Sequence, residues 1–116
     1  MPYIRLETTE TLRPEAKQLL CAQLSKLCAD TIGKPEKYVQ VAVLDGVALM
    51  HGGAPGRAAF VDIRSIGGLT PKVCQALSQK VCATLRGALN VSGARVYLNF
   101  TDVPAASWGH DGGTFG

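Results

Sequence analysis

Residues 2–45, PYIRLETTETLRPEAKQLLCAQLSKLCADTIGKPEKYVQVAVLD, lie over residues 59–102, AFVDIRSIGGLTPKVCQALSQKVCATLRGALNVSGARVYLNFTD, without a gap. At this offset of 57, the step from Pro2 to Ala59, Leu12 falls on Leu69, Pro14 on Pro71 and Gln18 on Gln75. Leu20 falls on Leu77, Val39 on Val96 and Asp45 on Asp102. The apolar pattern agrees as well: Ile4 matches Val61, Leu6 Ile63, Leu24 Val81, Ile32 Leu89, Val41 Leu98 and Val43 Phe100. Such self-similarity is the mark of two copies of one supersecondary unit.

Each copy predicts strand, helix, strand. Ile4 and Leu6 alternate with Arg5 and Glu7, the period of a half-buried strand. Pro14 followed by Glu15 marks a helix start, since proline at the first turn forfeits only an unpaired N–H and the acid suits the helix dipole. Ala16, Leu20, Leu24, Leu27 and Thr31 then recur at three- and four-residue steps, with Leu19 and Cys28 widening the stripe. Gly33 fits a C-cap, Pro35 blocks continuation, and Tyr38 to Leu44 returns as a strand. In the second copy Thr70 caps Pro71, then Val73, Leu77, Val81 and Leu85 form the stripe, and Val96 to Phe100 is the return strand. The right-handed crossover rule makes each unit a parallel βαβ.

The expected fold class is therefore α/β in an α+β two-layer arrangement: a four-stranded sheet with both helices on one face. Parity turns Ile4, Leu6, Val41, Val43, Val61, Ile63, Val96, Leu98 and Phe100 toward the helices. Tyr3, Arg5, Glu7, Gln40, Asp62, Arg64, Tyr97, Asn99 and Thr101 face away, so that face is wet or lines a solvated assembly interior. Open sheet edges in so small a unit favour association.

With 116 residues and 12.2 kDa, residues 1–116 are expected to form a single domain. An apolar share of 47% and a charged share of 18% exclude disorder, and no apolar run approaches a membrane span. Met1-Pro2-Tyr3-Ile4-Arg5 lacks the basic start and apolar core of a signal peptide, so a cytoplasmic protein is expected. The net charge of +3 is spread evenly and the aromatics are few, which argues against nucleic acid as a partner and suits small anionic ligands. Cys21 and Cys28, and Cys74 and Cys82, stand about two helical turns apart, too far for disulfides. Neither CxxC nor a Cys/His cluster occurs, so no metal is expected and the thiols are read as buried reduced core residues.

Pro2 carries the chemical interest. Trimming of methionine before a small residue would leave it as a free secondary amine. An α-amino group starts near pKa 7.7–8.0, and burial or a nearby cation lowers it further. A group titrating near neutrality suits a general base.

The chain resembles the macrophage migration inhibitory factor (MIF) family of the tautomerase superfamily. The likeness spans essentially the whole sequence. It is carried by Met1-Pro2, Gly33-Lys34-Pro35 with Tyr38-Val39, and Gly52-Gly53. Ser65-Ile66-Gly67-Gly68, Arg95-Val96-Tyr97-Leu98-Asn99-Phe100 and Thr114-Phe115 complete it. The resemblance implies that family's doubled βαβ fold and a homotrimer with active sites at subunit interfaces. It implies a cofactor-free keto–enol tautomerase of arylpyruvates such as phenylpyruvate, and in some members of dopachrome derivatives. Pro2 then matches the catalytic base, Lys34 the cation that binds the substrate carboxylate, and Ile66 a backbone N–H donor to it. Tyr97 and Asn99 match residues lent by the neighbouring subunit; Tyr38, Trp108 and Phe115 match an aromatic wall.

Two departures accompany the likeness. Where many relatives carry Cys-x-x-Cys this chain has Ala58-Ala59-Phe60-Val61, so thiol–disulfide activity is expected to be absent. His110 falls where animal relatives usually have tryptophan, with Trp108 two residues earlier, and is read as rim; His51 reads as a loop residue. Two other readings compete with the tautomerase: a MIF-like signalling or binding protein with little catalysis, and another proline-dependent reaction on small unsaturated acids. Asp62 and Arg64 do not match the residues that the last of these needs.

Overall fold

The computed structural model describes residues 1–116. Strand β1 (Tyr3–Thr8), helix α1 (Pro14–Ile32) and strand β2 (Gln40–Leu44) make the first unit. Strand β3 (Ala59–Ser65), helix α2 (Pro71–Leu89) and strand β4 (Val96–Asp102) make the second. Both helices begin and end at positions related by the repeat offset. Their ends are closed by matching devices. Pro14 and Pro71 open them, and the Thr70 hydroxyl accepts the Val73 N–H at 3.2 Å. Gly33 (φ +82°) and Asn90 (φ +54°) close them in the left-handed conformation, donating to Ala29 and Arg86 carbonyls.

The sheet order is β2-β1-β3-β4. β1 pairs parallel with β2, and β3 with β4, while β1 and β3 meet antiparallel at the centre. The two βαβ units thus share one mixed sheet and place both helices over one face. Ile4 and Leu6 of β1 and Val61 and Ile63 of β3 are fully buried there against Leu20, Leu24 and Cys28 of α1 and Leu77, Val81 and Leu85 of α2. Each such aliphatic side chain contributes about 1.5–3 kcal/mol by leaving water. The opposite face is polar. Arg5 pairs with Glu7 at 3.1 Å and Arg64 with Asp62 at 3.3 Å.

Three expectations need correction. The buried stripe of α1 runs Leu20, Leu24, Cys28, Ala29, Ile32, whereas Ala16 and Leu19 are exposed, Leu19 by 60%. The register set by α2 and the sheet follows the four-residue step, and Leu19 lies about 100° round the helix from Leu20. Only Cys28 is a core thiol; Cys21, Cys74 and Cys82 are free and half-buried. Tyr38 does not open a strand. It ends a 3-10 turn, Glu36–Tyr38, whose Tyr38 and Val39 N–H groups donate back to Pro35 and Glu36 carbonyls instead of joining the ladder.

Beyond the repeat, the chain makes a hairpin of β5 (Gly109–His110) and β6 (Gly113–Thr114). Its two central residues, Asp111 (φ +49°) and Gly112 (φ +81°), have the backbone a tight I′ turn requires. No helix is long and apolar enough to cross a membrane.

Candidate active site

Pro2 precedes β1, and its carbonyl accepts the Gln40 N–H at 3.1 Å, the first rung joining β1 to β2. A proline at this position loses no ladder donor. Its ring is fully buried. With Met1 it forms part of a cleft of about 200 Å³ whose other walls come from two distant segments. One is the turn into β2, with Lys37, Tyr38, Val39 and Gln40. The other is the carboxy-terminal hairpin, with Trp108, Gly109, His110 and Phe115.

The walls hold themselves in place. Lys37 Nζ lies 5.1 Å from the Tyr38 ring centroid, a cation–π contact. His110 and Phe115 stack with centroids 5.5 Å apart, and the Phe115 N–H donates to the Trp108 carbonyl at 3.1 Å. The structure therefore brings Pro2, Tyr38, Trp108 and Phe115 together. His110, expected at the rim, is part of the wall, and Lys37, Val39 and Gln40 line it too, positions that the sequence does not mark as site residues. The sequence signal for the hairpin wall was Asp111-Gly112, a strong two-residue turn pair.

Lys34 and Ile66 do not line this cleft. Lys34 follows the left-handed Gly33, and its N–H donates to the Ala29 carbonyl at 3.0 Å. Its charge reaches the amino terminus. The terminal amine of Met1 lies below its ordinary value of 8.0, first because burial disfavours the ammonium and second because of Lys34. Ile66 belongs to the turn after β3, where the Ser65 hydroxyl donates to the Gly67 carbonyl and the Gly67 N–H donates to Asp102 Oδ1, both at 2.8 Å. Gly68 of that turn has φ +81°, and a Cβ there would meet Ile32 Cγ2 at 2.8 Å and Lys34 Cε at 3.6 Å. The turn and Lys34 are thus neighbours, and the approach of Ile32 together with the positive φ is what requires glycine at 68.

Tyr97 and Asn99 stand apart from Pro2 within the chain. Tyr97 pairs across the sheet with Phe60, which pairs with Glu7, and Asn99 likewise aligns with Asp62 and Arg5. β4 is two strands from β1, about 10 Å, and Tyr97 is level with a position five residues along from Pro2, about 16 Å. Both side chains are exposed on the face away from the helices. No group of three or more His, Cys, Asp or Glu side chains is placed to hold a metal ion.

A family model described as macrophage migration inhibitory factor (MIF) matches residues 1–116. The chain belongs to the MIF family. A macrophage migration inhibitory factor homolog of Brugia malayi is 33% identical over 116 residues, all of both chains. The crystal structure of the Prochlorococcus marinus homologue superposes with a TM-score of 0.93 at 34% identity, covering 98% of this chain and 99% of that one. A protein whose crystal structure was solved after inactivation by 2-oxo-3-pentynoate is 25% identical, with a TM-score of 0.83 over 96% of this chain and 93% of its own. The two-helix, four-strand architecture is the tautomerase fold of these MIF relatives, and the expected family and fold class are both borne out. This MIF-family chain has alanines at 58 and 59 and keeps its cysteines in the helices.

Proposed function

We propose that this MIF-family protein is a cofactor-free keto–enol tautomerase of arylpyruvates such as phenylpyruvate, with Pro2, freed of Met1, as general acid–base. One observation carries the reading: Pro2 is enclosed beside an aromatic-walled cleft, at a chain end where burial and Lys34 already disfavour the protonated amine. Dopachrome derivatives, whose planar quinonoid rings become aromatic on tautomerisation, are a second candidate class for the same wall.

In the enol-to-keto direction one proton leaves oxygen and one arrives at the adjacent carbon, so the net composition is unchanged. The neutral Pro2 nitrogen takes the hydroxyl proton and, as the ammonium, delivers a proton to carbon, which returns it to the free base. A neutral amine with depressed pKa can do both near pH 7. Charge develops on the oxygen along the way, so hydrogen-bond donors near it lower the barrier. Lys34, outside the cleft's own lining but near enough to act on the amino terminus, takes the carboxylate, with the Ile66 N–H as a second donor. Tyr38, Trp108 and Phe115 hold the aryl ring. Tyr97 and Asn99 reach the cleft from the neighbouring subunit of a homotrimer. Their distance from Pro2 within one chain and the open edges at β2 and β4 support an assembly that covers this face. Inactivation of the 25%-identical protein by an electrophilic 2-oxo acid supports a reactive group and a 2-oxo acid site in this fold.

Phenylpyruvate ketonisation by the Met1-trimmed protein against Pro2→Gly tests the mechanism. A loss of about 100-fold or more in kcat/KM is expected, the scale of general acid–base catalysis; equal rates overturn it. Retention of Met1, which converts the amine to an amide, is expected to abolish turnover. Light scattering reads the trimer directly.

A further inference from the structure

His51 lies outside the cleft around Pro2, yet it is the ring against which Tyr97 rests. The two centroids are 4.7 Å apart with the planes tilted by 37°. Tyr97 is 64% exposed, and the His51 ring packs against it from within the same chain. His51 is held firmly. His51 and Ala54 exchange N–H···O=C bonds at 3.3 and 3.1 Å across Gly52 and Gly53, whose φ of +62° and +73° make a I′-like turn.

That turn is fastened from below by one guanidinium. Arg95 donates from Nε to the Arg57 carbonyl at 2.7 Å and from Nη2 to the Ala54 carbonyl at 3.0 Å, with a longer contact of 3.5 Å from Nη1 to the His51 carbonyl. Arg95 precedes β4 by one residue and Tyr97 by two. The same short segment therefore carries Tyr97 and fixes the loop that packs on it. Three charge-assisted bonds to carbonyls spread over seven residues give the loop a defined seat.

We propose that His51 is a positioning residue for Tyr97, presented by the Gly52-Gly53 turn and the Arg95 clamp, and that it sets substrate affinity in the neighbouring subunit's cleft. The functional half rests on Tyr97 reaching that cleft. His51 touches no reacting atom. It narrows the range of Tyr97 orientations, so its removal raises KM and leaves kcat within about twofold.

The test uses the trimmed protein with phenylpyruvate, together with NMR of a ring-labelled Tyr97. His51→Ala is expected to shift the Tyr97 ring resonances and to raise KM about two- to tenfold, the range an aromatic pair is worth. His51→Phe, which keeps the ring contact without the imidazole, restores both. An unmoved Tyr97 resonance in His51→Ala overturns the proposal. So does a shifted resonance with unchanged KM when Tyr97→Ala raises KM. If Tyr97→Ala also leaves KM unchanged while the enzyme remains active, the reading that fails is the placing of Tyr97 in the cleft.

Discussion

The imidazole of His110 lies over the ring of Phe115 with centroids 5.5 Å apart and planes 8° from parallel. The pair joins β5 to the segment after β6 and forms one side of the cleft beside Pro2. Phe115 is 39% exposed, so it serves the cleft more than the core.

Phe115→Ala is therefore expected to raise KM for phenylpyruvate about three- to tenfold, through lost apolar and stacking contact, with little change in thermal midpoint. Steady-state kinetics and a melting curve check both halves. An unchanged KM would remove Phe115 from the substrate wall.

Lys34→Ala removes the second cause of the depressed terminal amine and leaves burial, the larger one. The amine pKa is expected to rise part of the way toward 8.0 in the Met1-bearing chain. In the trimmed protein the same loss raises the Pro2 pKa, so less free base is present at pH 6–7. The acid limb of the kcat/KM profile then moves to higher pH. Titration of the ¹⁵N-labelled amine reads the shift; an amine that titrates as in the parent protein contradicts the role given to Lys34.

Asp45 ties the end of β2 to the entrance of α1. Its carboxylate accepts the Leu12 N–H at 2.9 Å and Lys17 Nζ at 3.1 Å, and its pKa lies below the ordinary 3.8, the Leu12 bond being the first cause. A carboxyl depressed in the folded state favours folding above its unfolded pKa. That contribution is lost as pH falls from about 3.8 through the lower folded value. Asp45→Asn should unfold more readily than the parent at pH 6, and the difference should shrink below pH 3. A gap that stays constant across this range would mean the carboxylate charge is not what matters.

Burial pushes the Cys28 thiol up to about 12, and it raises Cys82 as well. At pH 8 iodoacetamide is expected to label Cys21 and Cys74 first and Cys28 only on unfolding, because the thiolate is the reacting form. Mass spectrometry after timed labelling distinguishes the four. Early labelling of Cys28 would mean that the packing between α1 and the sheet opens far more often than its burial implies.

Much of the architecture is legible in the residues. The repeat aligns Pro14 with Pro71 and Ile32 with Leu89, and both helices keep those limits. Caps, prolines and period-two alternation act over a few residues, so they are written locally. The side of α1 that is buried was less legible. Leu19 and Leu20 are equally apolar, and only the approach of α2 and the sheet selects Leu20. Tyr38, whose aromatic β-propensity favours a strand, is held instead in a 3-10 turn by that turn's hydrogen bonds.

The sequence by itself determined the two βαβ units, their parallel crossovers and the family likeness that singles out Pro2. Those follow from periodicity, chirality and an ordered set of motifs. Tertiary structure alone decided that His110 joins Trp108 and Phe115 in the cleft beside Pro2, and that His51 meets Tyr97. These contacts join positions tens of residues apart. They exist because the hairpin folds back beside the turn into β2 and Arg95 draws the 51–57 loop onto β4, choices that no local pattern of residues encodes.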